Sequence, residues 1–176
     1  MRIVLTGFMG TGKSVVGRRL AERLGLSFLD LDDLIVENAG LSLPEIFASE
    51  GEPGFRRRER EQIARVANCR NCVIATGGGA LLDPENIRTL KTGAVLISLQ
   101  ATPEVILKRI KPESHRPLLQ VSDRLVRIRQ LLEQRASAYA QADLCVETTE
   151  SSVEEVVDRI VWHVRQEPAR TMDAAR

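Results

Sequence analysis

"GFMGTGKS", Gly7 to Ser14, stands directly behind the apolar run Ile3-Val4-Leu5 and ahead of a helical pattern in which Val16, Leu20 and Leu24 recur at every fourth position. The stretch satisfies G-x-x-x-x-G-K-[ST]. Its glycines let successive backbone N–H groups turn inward around phosphate oxygens, and the helix behind it adds the partial positive charge of its N-terminus. Lys13 can reach the β- and γ-phosphates, and the Ser14 hydroxyl can ligate Mg²⁺. A strand, this turn and an amphipathic helix, in that order, make a nucleoside triphosphate site.

The rest of the chain repeats the strand-then-helix rhythm, the pattern of βαβ units around a parallel sheet. Strands are expected at residues 2–6, 27–30, 72–76, 94–99 and 143–147. Gly25 can close the first helix, and Gly40 stops a short one carrying Leu34 and Ile35. Ser42-Leu-Pro-Glu45 reads as a capping box opening a helix that Gly51 ends, and residues 53–69 form a charged helix with Phe55, Ile63 and Val66. Ser152-Val-Glu-Glu155 is a second capping box, ahead of the stripe Val153, Val156, Val157, Ile160, Val161 and Val164. No repeat or linker divides the chain, so a single domain over 1–166 is expected. The tail at 167–176 has no apolar face and should fray.

Composition narrows the partners. A chain of 176 residues can bury a real core as one domain. The net charge of +1 gives no electrostatic case for nucleic acid or a membrane surface. No apolar run approaches the roughly 18 residues of a membrane span. Met1-Arg2 leads straight into a strand, so neither a signal peptide nor export is expected, and the location should be cytoplasmic. Cys69-Arg-Asn-Cys72 spells C-x-x-C, but with no second pair and only His115 and His163 as histidines it reads as two thiols flanking a turn.

A phosphate cradle does not define a reaction. Phe28-Leu-Asp30-Leu-Asp32-Asp33 places Asp30 and Asp32 two apart, on one side of an extended segment. Ligands of parallel sheets bind outside the carboxyl ends of strands, so both should face the cradle. One can hold hydrated Mg²⁺ and the other can accept a proton from an attacking hydroxyl. Alternatively an aspartate here only caps the next helix, the preferred reading for Asp33 and an open one for Asp32. In Gly54-Phe-Arg56-Arg57-Arg58-Glu59, Arg57 and Arg58 read as a solvated face partnered by Glu59 and nearby acids. Arg56 falls in a first helical turn, where a cation is disfavoured unless an anion waits beside it.

Thr76-Gly77-Gly78-Gly79 leaves bare N–H groups at the carboxyl end of a strand, where a ligand can approach the backbone. In a helix opening near Ser122, Arg135 shares the apolar face of Leu125, Ile128, Leu131 and Leu132. A guanidinium there needs a carboxylate, or else snorkels out to water. Lys111 to Gln120 is a polar, proline-bracketed loop long enough to act as a lid over about 111–122. Its Arg116 can neutralise a transferring phosphoryl group, and Arg109 just before it can stack on a base.

With "GFMGTGKS", "FLDLDD", "GFRRRE", "TGGGA", "RPLL" and the arginine of "LLEQRASAY" in that order, the chain from about Ile3 to Val164 resembles shikimate kinases. The resemblance implies an α/β fold, the P-loop nucleoside-monophosphate-kinase-like three-layer α/β/α arrangement with a five-stranded parallel sheet in order 2-3-1-4-5. It implies ATP-dependent phosphorylation of the 3-hydroxyl of shikimate, in a monomer acting with Mg²⁺. Gly10, Thr11, Gly12, Lys13, Ser14 and Val15 then match the ATP loop, with Arg109 and Arg116 completing the nucleotide side. Ser14 and Asp30 match the Mg²⁺ site, and Asp32 the aspartate at the attacking hydroxyl, so that Lys13, Asp32 and Arg116 carry the chemistry. Arg56 and Arg135 match the pair that clamps the shikimate carboxylate, beside Gly77, Gly78 and Gly79, within an acceptor segment at about 32–60. The adenine pocket is implied around 148–151. Two arginines that each wanted an anion thereby receive one carboxylate. A small polyol-acid kinase such as a gluconate kinase fits the same charges; a regulatory GTPase does not, for want of an N-K-x-D motif. A nucleotide-dependent binding module that has lost phosphoryl transfer is disfavoured by Lys13, Asp30, Asp32 and Arg116.

Overall fold

Five parallel strands are laid side by side in the order β2 (Ser27–Asp30), β3 (Cys72–Ala75), β1 (Arg2–Thr6), β4 (Val95–Gln100) and β5 (Leu144–Glu147). The computed structural model describes residues 1–110 and 121–166. A parallel sheet is covered on both faces, which is why Ile3, Val4 and Leu5 of the central strand are all fully buried. Alternation sorts them. Val4 joins Ile74 and Leu96 in one cluster, under α2 (Leu31–Ala39), α3 (Leu43–Val66), α4 (Pro84–Lys91), α5 (Pro103–Arg109) and α6 (Arg124–Tyr139). Ile3 and Leu5 join Val73, Val95 and Ile97 in the other, under α1 (Lys13–Leu24) and α7 (Val153–Gln166). The expected order 2-3-1-4-5 and three layers are present.

The register brings the ends that matter to one edge. Leu5 stands opposite Ala75, and Ala75 opposite Asp30, so the turns that leave β1, β2 and β3 emerge together. The thiols lie at the other end of the sheet. Cys72 begins β3, and both cysteines are free, flanking Asn71 with φ 56°. Burial and the neighbouring Cys69 push the Cys72 thiol up to about 12.

Some local expectations hold and others change. Gly51 breaks the helical path as expected (φ 67°, ψ −174°), although the two helices it separates abut as one kinked element; Pro53 lies just beyond the break, and Ile46 and Phe55, on either side, pack into one small cluster with Ile35. α6 opens near Ser122 as expected, with Asp123 as the cap whose carboxylate accepts from the Val126 N–H, but Leu125 and Leu132 are only half-buried. Val153, at the mouth of α7, stays exposed, while Val156 to Val164 bury as the stripe predicts. Among the described residues, no helix is long and apolar enough to cross a membrane.

Candidate active site

The turn after β1 wraps its own donors around a hollow. Gly12 caps α1 with φ 98°, a conformation in which a side chain would be strained. Thr11 Oγ1 donates to Phe8 O (2.8 Å), and Lys13 Nζ donates to Gly7 O (2.8 Å) and Phe8 O (2.9 Å), so the ammonium lies folded against the turn it serves. The Gly10 backbone is seated against Ile106 and Ile110. The Val15 side chain points to solvent, which leaves only its backbone for a phosphate.

Ser14 Oγ lies 2.7 Å from Asp30 Oδ2 at the edge of this turn. Both are hard oxygen donors of the kind Mg²⁺ takes, and the pair therefore fits that ion. The other Asp30 oxygen caps α2, accepting from Asp32 N at 3.1 Å. This corrects two expectations. The chain is already helical at Leu31, so Asp30 and Asp32 are not an extended pair: Asp32 sits, half-buried, in the first turn of α2. The cap is Asp30 rather than Asp33, because a capping residue must itself be extended and β2 ends there. Asp33 is exposed and faces Arg18 at 3.6 Å.

Beyond Asp32 lies a second cluster, drawn from three elements. Arg56 Nη1 meets Glu59 Oε2 at 2.6 Å, its Nη2 reaches Glu52 at 3.4 Å, and its guanidinium stands 5.2 Å over the Phe55 ring. Glu59 is 1% exposed, and among the described residues its Oε1 meets no donor. Burial pushes the Glu59 carboxyl up, Arg56 only partly offsets this, and Asp32 adds to it. Burial also works against the Arg56 charge, but Glu59 and Glu52 outweigh it and hold the guanidinium protonated. Arg57 and Arg58 do not pair with Glu59, as the sequence suggested. Both turn to Glu50 (2.9 and 2.6 Å), an acid just ahead of the Gly51 kink.

Arg135 does not snorkel. It is 4% exposed, donates from Nη1 to Gly78 O at 3.0 Å and stands 5.4 Å over the Phe8 ring. One helical turn on, the Tyr139 hydroxyl donates to the same oxygen at 2.6 Å. None of Gly77, Gly78 and Gly79 has positive φ; what they provide is room. A methyl on Gly77 would stand 2.9 Å from Glu59 Oε1 and 3.3 Å from Asp32 Oδ1. One on Gly78 would stand 3.3 Å from Met9 N and 3.6 Å from Arg135 Nη1, and one on Gly79 would strike the Arg56 guanidinium. Arg56 and Arg135 thus reach one glycine turn from two helices.

Arg109 is placed on the nucleotide side. It donates to Thr148 Oγ1 (3.0 Å) and Thr148 O (2.7 Å), and that hydroxyl lies 3.2 Å from Thr11 O. Arg116 and the lid residues 111–120 lie outside the described residues, as does the 167–176 tail. Sequence reasoning passed over Tyr139 and gave Glu59 only as a surface partner for Arg57 and Arg58. Each shares an apolar face, Glu59 with Phe55 and Ile63, Tyr139 with Ile128, Leu131 and Arg135. The periodicity that exposed Arg135 would have found both.

Residues 9–165 match the family model described as shikimate kinase. The shikimate kinase of Geobacter metallireducens is 47% identical over 162 residues, covering 92% of this chain and 90% of that protein. That of Geobacter sulfurreducens is 48% identical over 164 residues, covering 93% and 91%. The structure of the Acinetobacter baumannii shikimate kinase in complex with shikimate superimposes with a TM-score of 0.91, at 36% identity and with 96% and 94% of the two chains covered.

Proposed function

The chain belongs to the shikimate kinase family, and on that premise we propose that it transfers the γ-phosphoryl group of ATP to the 3-hydroxyl of shikimate. The products are shikimate 3-phosphate and ADP, within the biosynthesis of chorismate and the aromatic amino acids. One observation carries the acceptor side of this reading: Arg56 and Arg135, distant in the chain, converge on the 77–79 turn beside Asp32. Two guanidinium groups at one turn suit a single carboxylate, held bidentately and out of bulk water.

The roles follow from charge and position. Lys13 and the N–H groups of the 10–15 turn bind the phosphates, with Arg109 at the nucleotide side and Arg116 supplying charge to the phosphoryl group on the strength of its sequence position. Asp32 orients the acceptor hydroxyl and takes its proton. Arg56, Arg135 and the Gly77–Gly79 turn fix the ring, so the reacting oxygen is held in line with the phosphorus, and positioning of this kind carries much of phosphoryl-transfer catalysis. Ser14 and Asp30 would hold Mg²⁺, which when bound neutralises charge on the phosphates. One kinase domain over 1–166, an acceptor segment at 32–60, a lid at 111–122, a monomeric state and a cytoplasmic location complete the proposal.

The test is a coupled ADP-release assay on the purified protein with shikimate, quinate and gluconate as acceptors. Turnover should be selective for shikimate. Selective turnover of gluconate would move the chain to the polyol-acid kinases. ATP binding without turnover of any of the three would favour a binding module.

A further inference from the structure

Tyr139 is a polar group of this site to which the roles above give no work. It lies in the last turn of α6, 6% exposed, in the cluster that holds Ile128, Leu131 and Ala138. A phenol buried there needs a partner for its hydroxyl. It takes the Gly78 carbonyl at 2.6 Å, and Arg135 Nη1 takes the same oxygen at 3.0 Å. A carbonyl oxygen has two lone pairs, so α6 occupies both.

The grip falls between two backbone bonds, from Ala80 N–H to Gly77 O (3.2 Å) and from Leu82 N–H to Gly79 O (3.1 Å), and takes the carbonyl between them. Glycine has the widest backbone freedom of any residue, and three follow one another here. Gly78 lies between the phosphate turn and Arg135, where a methyl in place of its hydrogen would be 3.5 Å from Gly7 O and 3.6 Å from Arg135 Nη1. The Gly78 carbonyl is thus the point through which α6 can hold the acceptor turn against the phosphate turn. Resting on the kinase reading above, we propose that Tyr139 is a positioning residue for the acceptor: its hydroxyl anchors Gly78 O and thereby fixes the 77–79 turn and Arg135 relative to the phosphate turn. Burial pushes the phenol's pKa up, against the nearby Arg135 and Arg56, so the hydroxyl remains a donor at neutral pH.

Tyr139→Phe keeps the ring and removes only the donor. In the full-length protein the KM for shikimate should rise roughly 5- to 20-fold, the loss expected of one buried hydrogen bond. The fall in kcat should be smaller, and the KM for ATP should stay within about twofold. A ring that merely packs would lower Tm and leave both KM values alone, which would overturn the proposal, as would equal rises in both. In an Arg135→Lys background the Phe substitution should cost less than it does alone, because both groups act through one oxygen. Tyr139 is the single tyrosine of the chain, so growth on difluorotyrosine alters it alone, without the risk of a misfolded variant. That more acidic phenol should lose its proton in mildly alkaline buffer, and the shikimate KM should climb there while that of the unlabelled enzyme does not. A flat profile overturns the proposal. Unlabelled enzyme that fails to phosphorylate shikimate at all overturns the kinase reading, and this inference with it; a normal wild type beside an unaffected variant overturns the inference alone.

Discussion

Two glycine-rich turns leave neighbouring strands of the same sheet, and they use glycine for opposite reasons. In the turn after β1, Gly7, Gly10 and Gly12 have φ of 131°, 80° and 98°, so the chain path itself excludes side chains. In the turn after β3, none of Gly77, Gly78 and Gly79 has positive φ, and the excluded side chains would meet Glu59, Asp32, Arg135 and Arg56 instead, with the backbone of the first turn (Met9 N, Gly7 O) as a further obstacle at Gly78. The first turn makes its binding surface out of its own backbone. The second is a plain surface given its character by side chains from α2, α3 and α6. On the proposed function, a nucleotide phosphate, common to many enzymes, would be met by the first, and an acceptor, particular to a few, by the second.

If that contrast is right, alanine should be far worse in the first turn. Gly7→Ala would drive a methyl into the Leu99 carbonyl oxygen, a backbone atom of β4, at a φ that alanine avoids. Adding overpacking to backbone strain, the expected loss is about 3–5 kcal/mol, a fall in Tm on the order of 10 °C. Gly77→Ala meets only the end of a flexible side chain, Glu59 Oε1 at 2.9 Å, as its nearest obstacle. It should lose about 1 kcal/mol, the low end of overpacking costs. Thermal melts showing equal losses would erase the distinction.

Next in size is the functional separation of the two turns. Arg135→Ala removes a buried cation from the acceptor side and, toward the phosphate turn, gives up its stacking over the Phe8 ring but no hydrogen bond to that turn's phosphate-facing groups among the described residues. The kcat/KM for shikimate should fall roughly 10²- to 10³-fold, as for truncation of a desolvated charge partner, with the KM for ATP changed by no more than about twofold. Steady-state kinetics with each substrate varied in turn reads this directly, and matched losses on both substrates would mean that the turns act as one unit.

The same contrast explains what could be read from the sequence. The phosphate turn was legible because eight consecutive positions carry it, while the parallel sheet follows from strand-helix alternation and its order from the implied family. Arg135 was legible because a cation on an apolar helical face is conspicuous. The acceptor turn was legible only as a suspicion, since its meaning lies in contacts from residues as far off as Asp32 and Tyr139. Asp30 and Asp32 were placed on the right strand end but given the wrong geometry: period-two reasoning assumes the strand continues, and here it stops at Asp30 because that side chain caps a helix. Arg57 and Arg58 were misassigned a partner for a similar reason. Glu50 comes within their reach on the far side of the Gly51 kink, and no helical spacing encodes that.

The smallest expected effect concerns Glu59, which belongs to the acceptor turn and has no counterpart in the phosphate turn. Its carboxyl is pushed above the ordinary value of 4.5, first by burial, against the opposing pull of Arg56 and with Asp32 adding to the rise. A carboxyl with a raised folded-state pKa holds its proton longer in the native state than in the unfolded chain, so native stability falls as pH rises from that ordinary value through the raised one. Above that window the charged Glu59 is a net burden on the fold, tolerated because it holds Arg56 at 2.6 Å. Glu59→Gln removes the titration and keeps the shape. Melted side by side without acceptor, wild type should lose ground to the variant as pH rises from about 4.5, and the difference should level off once the raised value has been passed. A difference that grows in the wild type's favour over the same range would mean that Arg56 stabilises the carboxylate more than burial opposes it, and the acceptor turn would then be held together by its ion pair rather than in spite of it.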